Sequence, residues 1–112
     1  MANRESLRGA AVKTRVLVVD DSPLIRAVLG ESFAATTDIE VVGEAGTATE
    51  TFAVIERTRP DLVVLDLGLP DKSGIEVTAE IRAARPALTI SWAIISAKNV
   101  SILYGRQRID QR

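Results

Sequence analysis

The chain has 112 residues, enough for one domain with one core, and 46% of them are hydrophobic, an ordinary globular share. Its 14 basic and 15 acidic residues leave a net charge of −1, so there is no electrostatic argument for nucleic acid or an anionic membrane. Cysteine and histidine are both absent, which excludes disulfides, thiolate metal sites, a phosphohistidine on this chain and imidazole as a base.

Residues 1–14 are polar or small and read as a flexible N-terminal arm; Asn3, Arg4, Glu5, Ser6 and Arg8 do not look like a signal peptide. No apolar run approaches transmembrane length, so a cytoplasmic protein is the expectation. Arg15 to Asp20 predicts a first strand. Ser22 then offers an N-cap and Pro23 suits the first helical position. Leu24, Ile25, Val28, Leu29 and Phe33 recur at helical spacing and predict a helix to about Ala35. Glu40 to Val42 predicts a short strand ending at Gly43, and Gly43 and Gly46 read as turn glycines. Thr47 to Arg57 predicts a second helix with Ala48, Phe52 and Ile55 inward and Pro60 as its stop. Leu62 to Asp66 predicts a third strand, and Pro70, Asp71 and Gly74 mark a loop. A third helix is expected from about Ile75 to Ala84, closed by Pro86. Thr89 to Ser96 predicts a fourth strand, in which Trp92 suits core or interface packing. This alternation argues for an α/β domain with a parallel sheet and right-handed crossovers.

The first and third strands, VLVVDD (Val16 to Asp21) and LVVLD (Leu62 to Asp66), are apolar runs that stop on carboxylate. Such runs suit strands buried on both faces of a parallel sheet, with the terminal acid at the mouth. If the two are neighbours, about 4.8 Å apart, Asp20, Asp21 and Asp66 crowd one crevice. Their mutual repulsion costs stability unless a cation such as Mg²⁺ sits among them, leaving one carboxylate free to react. Taken singly, Asp20 and Asp21 also suit a helix N-cap region, and Asp66 a loop acid. No Walker motif or GxGxxG is present.

The residues VLVVDDSPLIR (Val16 to Arg26), VVGEA (Val41 to Ala45), PDLVVLDLGLPDKSGIE (Pro60 to Glu76) and ISA (Ile95 to Ala97), in this order, resemble the receiver domain of bacterial two-component response regulators. The resemblance spans roughly Arg15 to Lys98. It implies a flavodoxin-like parallel sheet with the first strand between the second and third, and the fourth beside the third. It further implies that Asp66 is the phospho-acceptor, taking a phosphoryl group from a sensor histidine kinase or phosphotransfer protein. Asp21 matches a direct Mg²⁺ ligand, Asp20 a ligand acting largely through water, and the Gly68 backbone carbonyl a third protein ligand. Ser96 matches the hydroxyl that bonds a phosphoryl oxygen, although a serine at a strand end also reads as a turn residue. Pro70 and Gly74 match the turn after Asp66. A receiver of this kind is a signalling acceptor and not itself an enzyme, and no direct contact with nucleic acid or membrane is expected.

The chain departs from that pattern after Ser96. Only 16 residues follow (112 − 96), fewer than a parallel crossover, a fifth strand and a fifth helix need. The expected sheet is therefore 2-1-3-4, with the fifth strand and helix missing or replaced. The family's fifth-strand lysine has no counterpart, because the lysines are Lys13, Lys72 and Lys98. Val100 to Tyr104 (VSILY) suits a strand, but one connected too closely for a parallel return, and its register does not make Tyr104 the family's aromatic switch. Arg106, Arg108 and Arg112 read as a solvated end. The organisation expected is an arm (1–14), a receiver-like domain (15–98) and an atypical tail (99–112). The long apolar fourth strand would be an exposed edge, to be covered by the tail, paired with a second copy or exchanged between protomers. A homodimer through that edge is the expectation. Two other readings remain: a degenerate, truncated or frame-altered receiver serving as a phosphorylation-independent assembly module, and an aspartate-based phosphatase. The phosphatase wants a second Asp where this chain has Gly68.

Overall fold

Five strands form one sheet in the order β2-β1-β3-β4-β5: Thr14–Val19 (β1), Ile39–Ala45 (β2), Leu62–Asp66 (β3), Thr89–Ile94 (β4) and Leu103–Gln107 (β5). The first four run parallel, and β5 is antiparallel to β4. Helices Pro23–Ala34 (α1), Ala48–Thr58 (α2) and Gly74–Ala84 (α3) connect the parallel strands. This computed structural model describes residues 12–94 and 103–107, with 93–94 and 103–107 described by their backbone. The arm expected over the first residues therefore lies largely outside the described residues.

Strand β1 is apolar on both faces, and Val16, Leu17, Val18 and Val19 are all buried. Side chains alternate across a strand, so the run feeds two separate layers. Leu17 and Val19 join Val63, Leu65 and Ile90 under α2 and α3, whose Ala48, Val54, Ile55, Val77 and Ile81 close that face. Val16, Val18 and Val64 face α1, through Leu29 with Ile25 and Phe33 beside it. Each fully buried Val, Leu or Ile contributes about 1.5–3 kcal/mol, so the central strands are the most strongly held part of the chain. On α1, Leu24 departs from the expected apolar stripe and is 69% exposed.

Each helix starts where a hydroxyl stands. Ser22, Thr47 and Ser73 accept hydrogen bonds from the N–H groups of Ile25, Glu50 and Glu76, and Ser73 with Glu76 completes a capping box. Pro23 occupies the first turn of α1 as expected. Helix α2 ends at Arg59, which takes the left-handed region at φ 50° directly before Pro60. That conformation is uncommon without glycine.

Gly43 corrects the turn reading. Strand β2 runs through it to Ala45, and the β1–β2 register shifts there, Val16 pairing with Val41 but Leu17 with Gly43. A Cβ on Gly43 would lie 2.6 Å from Val54 Cγ1. The glycine is needed for α2 to approach the sheet, not for a turn.

The tail is the larger correction. The described strand is Leu103–Gln107, the first part of the expected Val100 to Tyr104 run lies outside the described residues, and the strand pairs with β4 from Ile94↔Leu103 to Ile90↔Gln107. An antiparallel neighbour needs only a hairpin-length connection, so the residues too few for a crossover suffice for a return. The fifth strand is replaced, with its direction reversed. Strand β4 consequently has partners on both sides, β3 and β5. The edge expected to recruit a second copy is filled by the chain's own tail.

Gly43→Ala should lower stability by roughly 1–3 kcal/mol through overpacking against Val54. Urea unfolding is expected to show a lower midpoint with an unchanged slope.

Candidate functional site

Parallel pairing brings the acids together. Val19 of β1 is in register with Leu65 of β3, so Asp20, one residue on, emerges beside Asp66 at the carboxyl edge. This edge lies between β1 and β3, from which the connections leave toward opposite sides of the sheet, the switch point where ligands of open α/β sheets bind. One carboxylate oxygen from each of Asp20, Asp21 and Asp66 lies within 4.8 Å of the others.

The three acids differ in environment. Asp20 is only 7% exposed, Asp66 is half-buried and Asp21 is exposed. The Asp20 N–H donates to the Ala45 carbonyl at 3.0 Å, and its Oδ1 accepts the Ser22 N–H at 2.8 Å. Its own carbonyl accepts from Arg26 Nη1 at 2.5 Å. Asp66 Oδ1 accepts the Gly68 N–H at 3.0 Å. Burial is the main cause that pushes the Asp20 carboxyl above its usual range. The Ser22 N–H opposes this, the Asp66 and Asp21 charges add to it, and the Arg26 cation opposes it.

A shared cation would relieve that crowding. The donors are all carboxylate oxygens, which suits a hard divalent ion such as Mg²⁺. The residues present thus fit a metal ion.

The loop after Asp66 is fixed by close backbone contact. The Gly74 N–H donates to the Leu67 carbonyl at 2.8 Å. A Cβ on Gly74 would lie 2.5 Å from Leu67 Cα and 2.8 Å from the Asp66 carbonyl oxygen, so only glycine fits. Pro70 is exposed on the same loop.

The structure brings Asp20, Asp21 and Asp66 into one cluster and ties Gly68 to Asp66 through its N–H. Ser96 and Lys98 lie outside the described residues. Three features went unseen in the sequence. Arg26 spans from α1 to the Asp20 carbonyl and to Glu44 Oε1, the latter at 3.0 Å; its place one turn into the helix after the acids was the available signal. Asp71 accepts the Ala48 N–H at 2.8 Å and the Thr49 N–H at 3.2 Å, capping α2 from the neighbouring loop, and those bonds hold its carboxyl below the usual range. Trp92 is partly buried against the core, and its indole N–H donates to Thr78 Oγ1 at 2.8 Å. Thr78 in turn donates to the Gly74 carbonyl at 2.8 Å. No local pattern in the sequence announces the Asp71 cap or the Trp92 bond to Thr78.

Residues 16–105 match the family model of the response regulator receiver domain. Over 72 residues the chain is 44% identical to a protein-glutamate methylesterase/protein-glutamine glutaminase of Agrobacterium fabrum, covering 64% of this chain and 20% of that protein. Over 74 residues it is 39% identical to the DNA-binding transcriptional activator DevR/DosR of Mycobacterium tuberculosis, covering 66% of this chain and 34% of that one. A crystal structure of a two-component response regulator of the LuxR family from Aurantimonas sp. aligns with TM-score 0.71 and 34% identity, over 75% of this chain and 60% of that one. The chain thus spans 20% and 34% of the length of these two curated relatives. It belongs to the response regulator receiver domain family.

Because the Asp20 carboxyl is raised in the fold, the stability tied to it is full below the ordinary aspartate pKa and is lost as pH rises through the raised value. Without divalent metal, Asp20→Asn should therefore raise Tm at pH 7, by roughly 4 °C for about 1 kcal/mol relieved. The gain should shrink as pH is lowered to about 4, the ordinary aspartate value. Melting curves in EDTA at both pH values check this.

Proposed function

We infer that this chain is a phospho-accepting receiver of a two-component system, with Asp66 as the acceptor and a sensor histidine kinase or phosphotransfer protein as the donor. The observation that carries this reading is the convergence of Asp20, Asp21 and Asp66 at the switch point of the sheet. Asp20, Asp21, Asp66 and the Gly68 backbone carbonyl are the residues that would hold Mg²⁺. When bound, the ion supplies positive charge against the crowded acids and the transferring phosphoryl group.

The chain's own residues do the rest. Asp66 ends β3 and is half-buried, so its carboxylate is fixed by the sheet yet open to a donor. The Gly68 N–H orients it through one oxygen. A carboxylate oxygen of Asp66 attacks phosphorus, an O–P bond forms, and the P–N bond of the phosphohistidine breaks with its electron pair going to the leaving imidazole. Ser96 is the residue that would bond a phosphoryl oxygen and draw the segment after β4 inward. The described strand β5, LYGRQ, contains no lysine, and Lys72 is engaged by Glu80 at 2.5 Å.

We assign the receiver unit to residues 15–98, preceded by an arm and followed by an atypical tail (99–112) whose strand closes the sheet. The matched relatives include a methylesterase and a DNA-binding activator by name. A receiver site that serves such different outputs carries no output of its own, so this unit is a signalling acceptor and not an enzyme. A net charge of −1 supports no direct contact with nucleic acid. Among the described residues no helix is long and apolar enough to cross a membrane, and a cytoplasmic site of action accords with a kinase donor.

Incubation with a small acyl-phosphate donor tests the reading by intact mass. A single phosphoryl adduct is expected with Mg²⁺, and none with EDTA or in Asp66→Asn. Folded wild-type protein that never acquires an adduct would sink the acceptor role and favour a phosphorylation-independent assembly module.

A further inference from the structure

We propose that Arg26 is a positioning residue for the metal site, clamping the Asp20–Asp21 turn together with Glu44 and Gly46. The inference rests on the acidic pocket being a Mg²⁺ site.

Arg26 reaches from α1 over the end of β2, with its side chain 21% exposed. Its Nε donates to Glu44 Oε1 at 3.0 Å and its Nη1 to the Asp20 carbonyl at 2.5 Å. The guanidinium is a rigid planar fork, so anchoring one arm on Glu44 aims the other. The pinned oxygen belongs to the peptide bond joining Asp20 to Asp21. That unit is planar, so fixing its oxygen also fixes the direction in which Asp21 leaves the strand. One side chain therefore sets the backbone of two of the three acids.

Gly46 lies close under the guanidinium. A Cβ there would lie 3.1 Å from Arg26 Nη1, so the guanidinium would have to give by a few tenths of an ångström. Gly46 is itself held, its N–H donating to Glu50 Oε1 at 2.7 Å. Asp20 is thus gripped from three directions: by Ala45 on β2 through its N–H, by Ser22 through its carboxylate and by Arg26 through its carbonyl.

A plain charge effect and a positioning effect predict opposite signs. Arg26 is a cation close to a cation site, so through Coulomb repulsion alone its removal would tighten Mg²⁺ binding. If it positions the turn, its removal loosens binding, by roughly 10-fold, as for other partners that orient metal ligands. Calorimetric Mg²⁺ titration of wild type, Arg26→Gln, Arg26→Lys, Glu44→Ala and Asp21→Asn separates the two, with Tm in EDTA as the folding control. Binding should weaken in Arg26→Gln and Glu44→Ala while Tm stays near wild type. Arg26→Lys should also bind more weakly, because it keeps the charge and loses the fork. Unchanged or tighter binding in Arg26→Gln, with wild type binding and Asp21→Asn not, would overturn the clamp and leave the metal site standing. Wild type failing to bind Mg²⁺ would overturn both. Should Arg26→Gln not fold, Arg26→Lys decides: it keeps the charge, so wild-type Mg²⁺ binding there would overturn the clamp.

Discussion

Everything at the functional end follows from one electrostatic constraint: three carboxylates have to share the space at the ends of two adjacent parallel strands. The strands are apolar on both faces, so within them an acid has no place to go. Val16 to Val19 and Val63 to Leu65 are all buried, and charge becomes tolerable only where the strands stop. Because β1 and β3 pair in register, they stop at the same level. The crowding is therefore a product of core packing as much as of local sequence, and it adds to the upward shift that burial gives the Asp20 carboxyl.

Holding such a cluster needs rigid loops, and the loops here are tied down by backbone groups more than by ion pairs. Asp71 caps α2 from the loop that follows Asp66, which links two neighbouring βα units at the same edge. Gly74 lets the start of α3 touch the backbone of Leu67 and Asp66. The Thr78 hydroxyl then joins that first turn to Trp92 on β4. The exposed ion pairs, such as Arg59 with Glu56 at 3.7 Å, contribute little by comparison. Two hydrogen bonds thus connect the Gly74 end of that loop to Trp92.

Most of the fold and the acidic triad were legible because they rest on strong local signals. Apolar runs of five or six residues, hydroxyl caps and helix stops are short-range, and they located β1, β3 and the three helices to within a residue or two. Gly43 was misread because a glycine in a turn and a glycine under a helix look alike in one dimension. Only the approach of Val54, eleven positions along the chain (54 − 43), tells them apart. Arg26 stood within the family-like motif, yet its partners are Asp20, just past β1, and Glu44 on β2, and no periodicity joins them. Asp71 was read correctly as a loop residue, but its cap on α2 is tertiary.

The reversed β5 bears directly on charge at the site. Since Gln107 pairs opposite Ile90, the strand runs toward the amino end of the parallel sheet, away from the acids. A side chain at the end of β5 is thereby carried to the wrong edge, so reversing the strand removes the family's route for a lysine to the phosphoryl group whatever residue stands there. Among the described residues, Arg26 is the cation that lowers the Asp20 carboxyl, and its guanidinium is engaged by a carbonyl and by Glu44. On the proposed function, a bound ion would supply positive charge to the transferring phosphoryl group. The geometry of Asp20 and Asp21, and a side chain that fixes the peptide between them, would then bear directly on that chemistry.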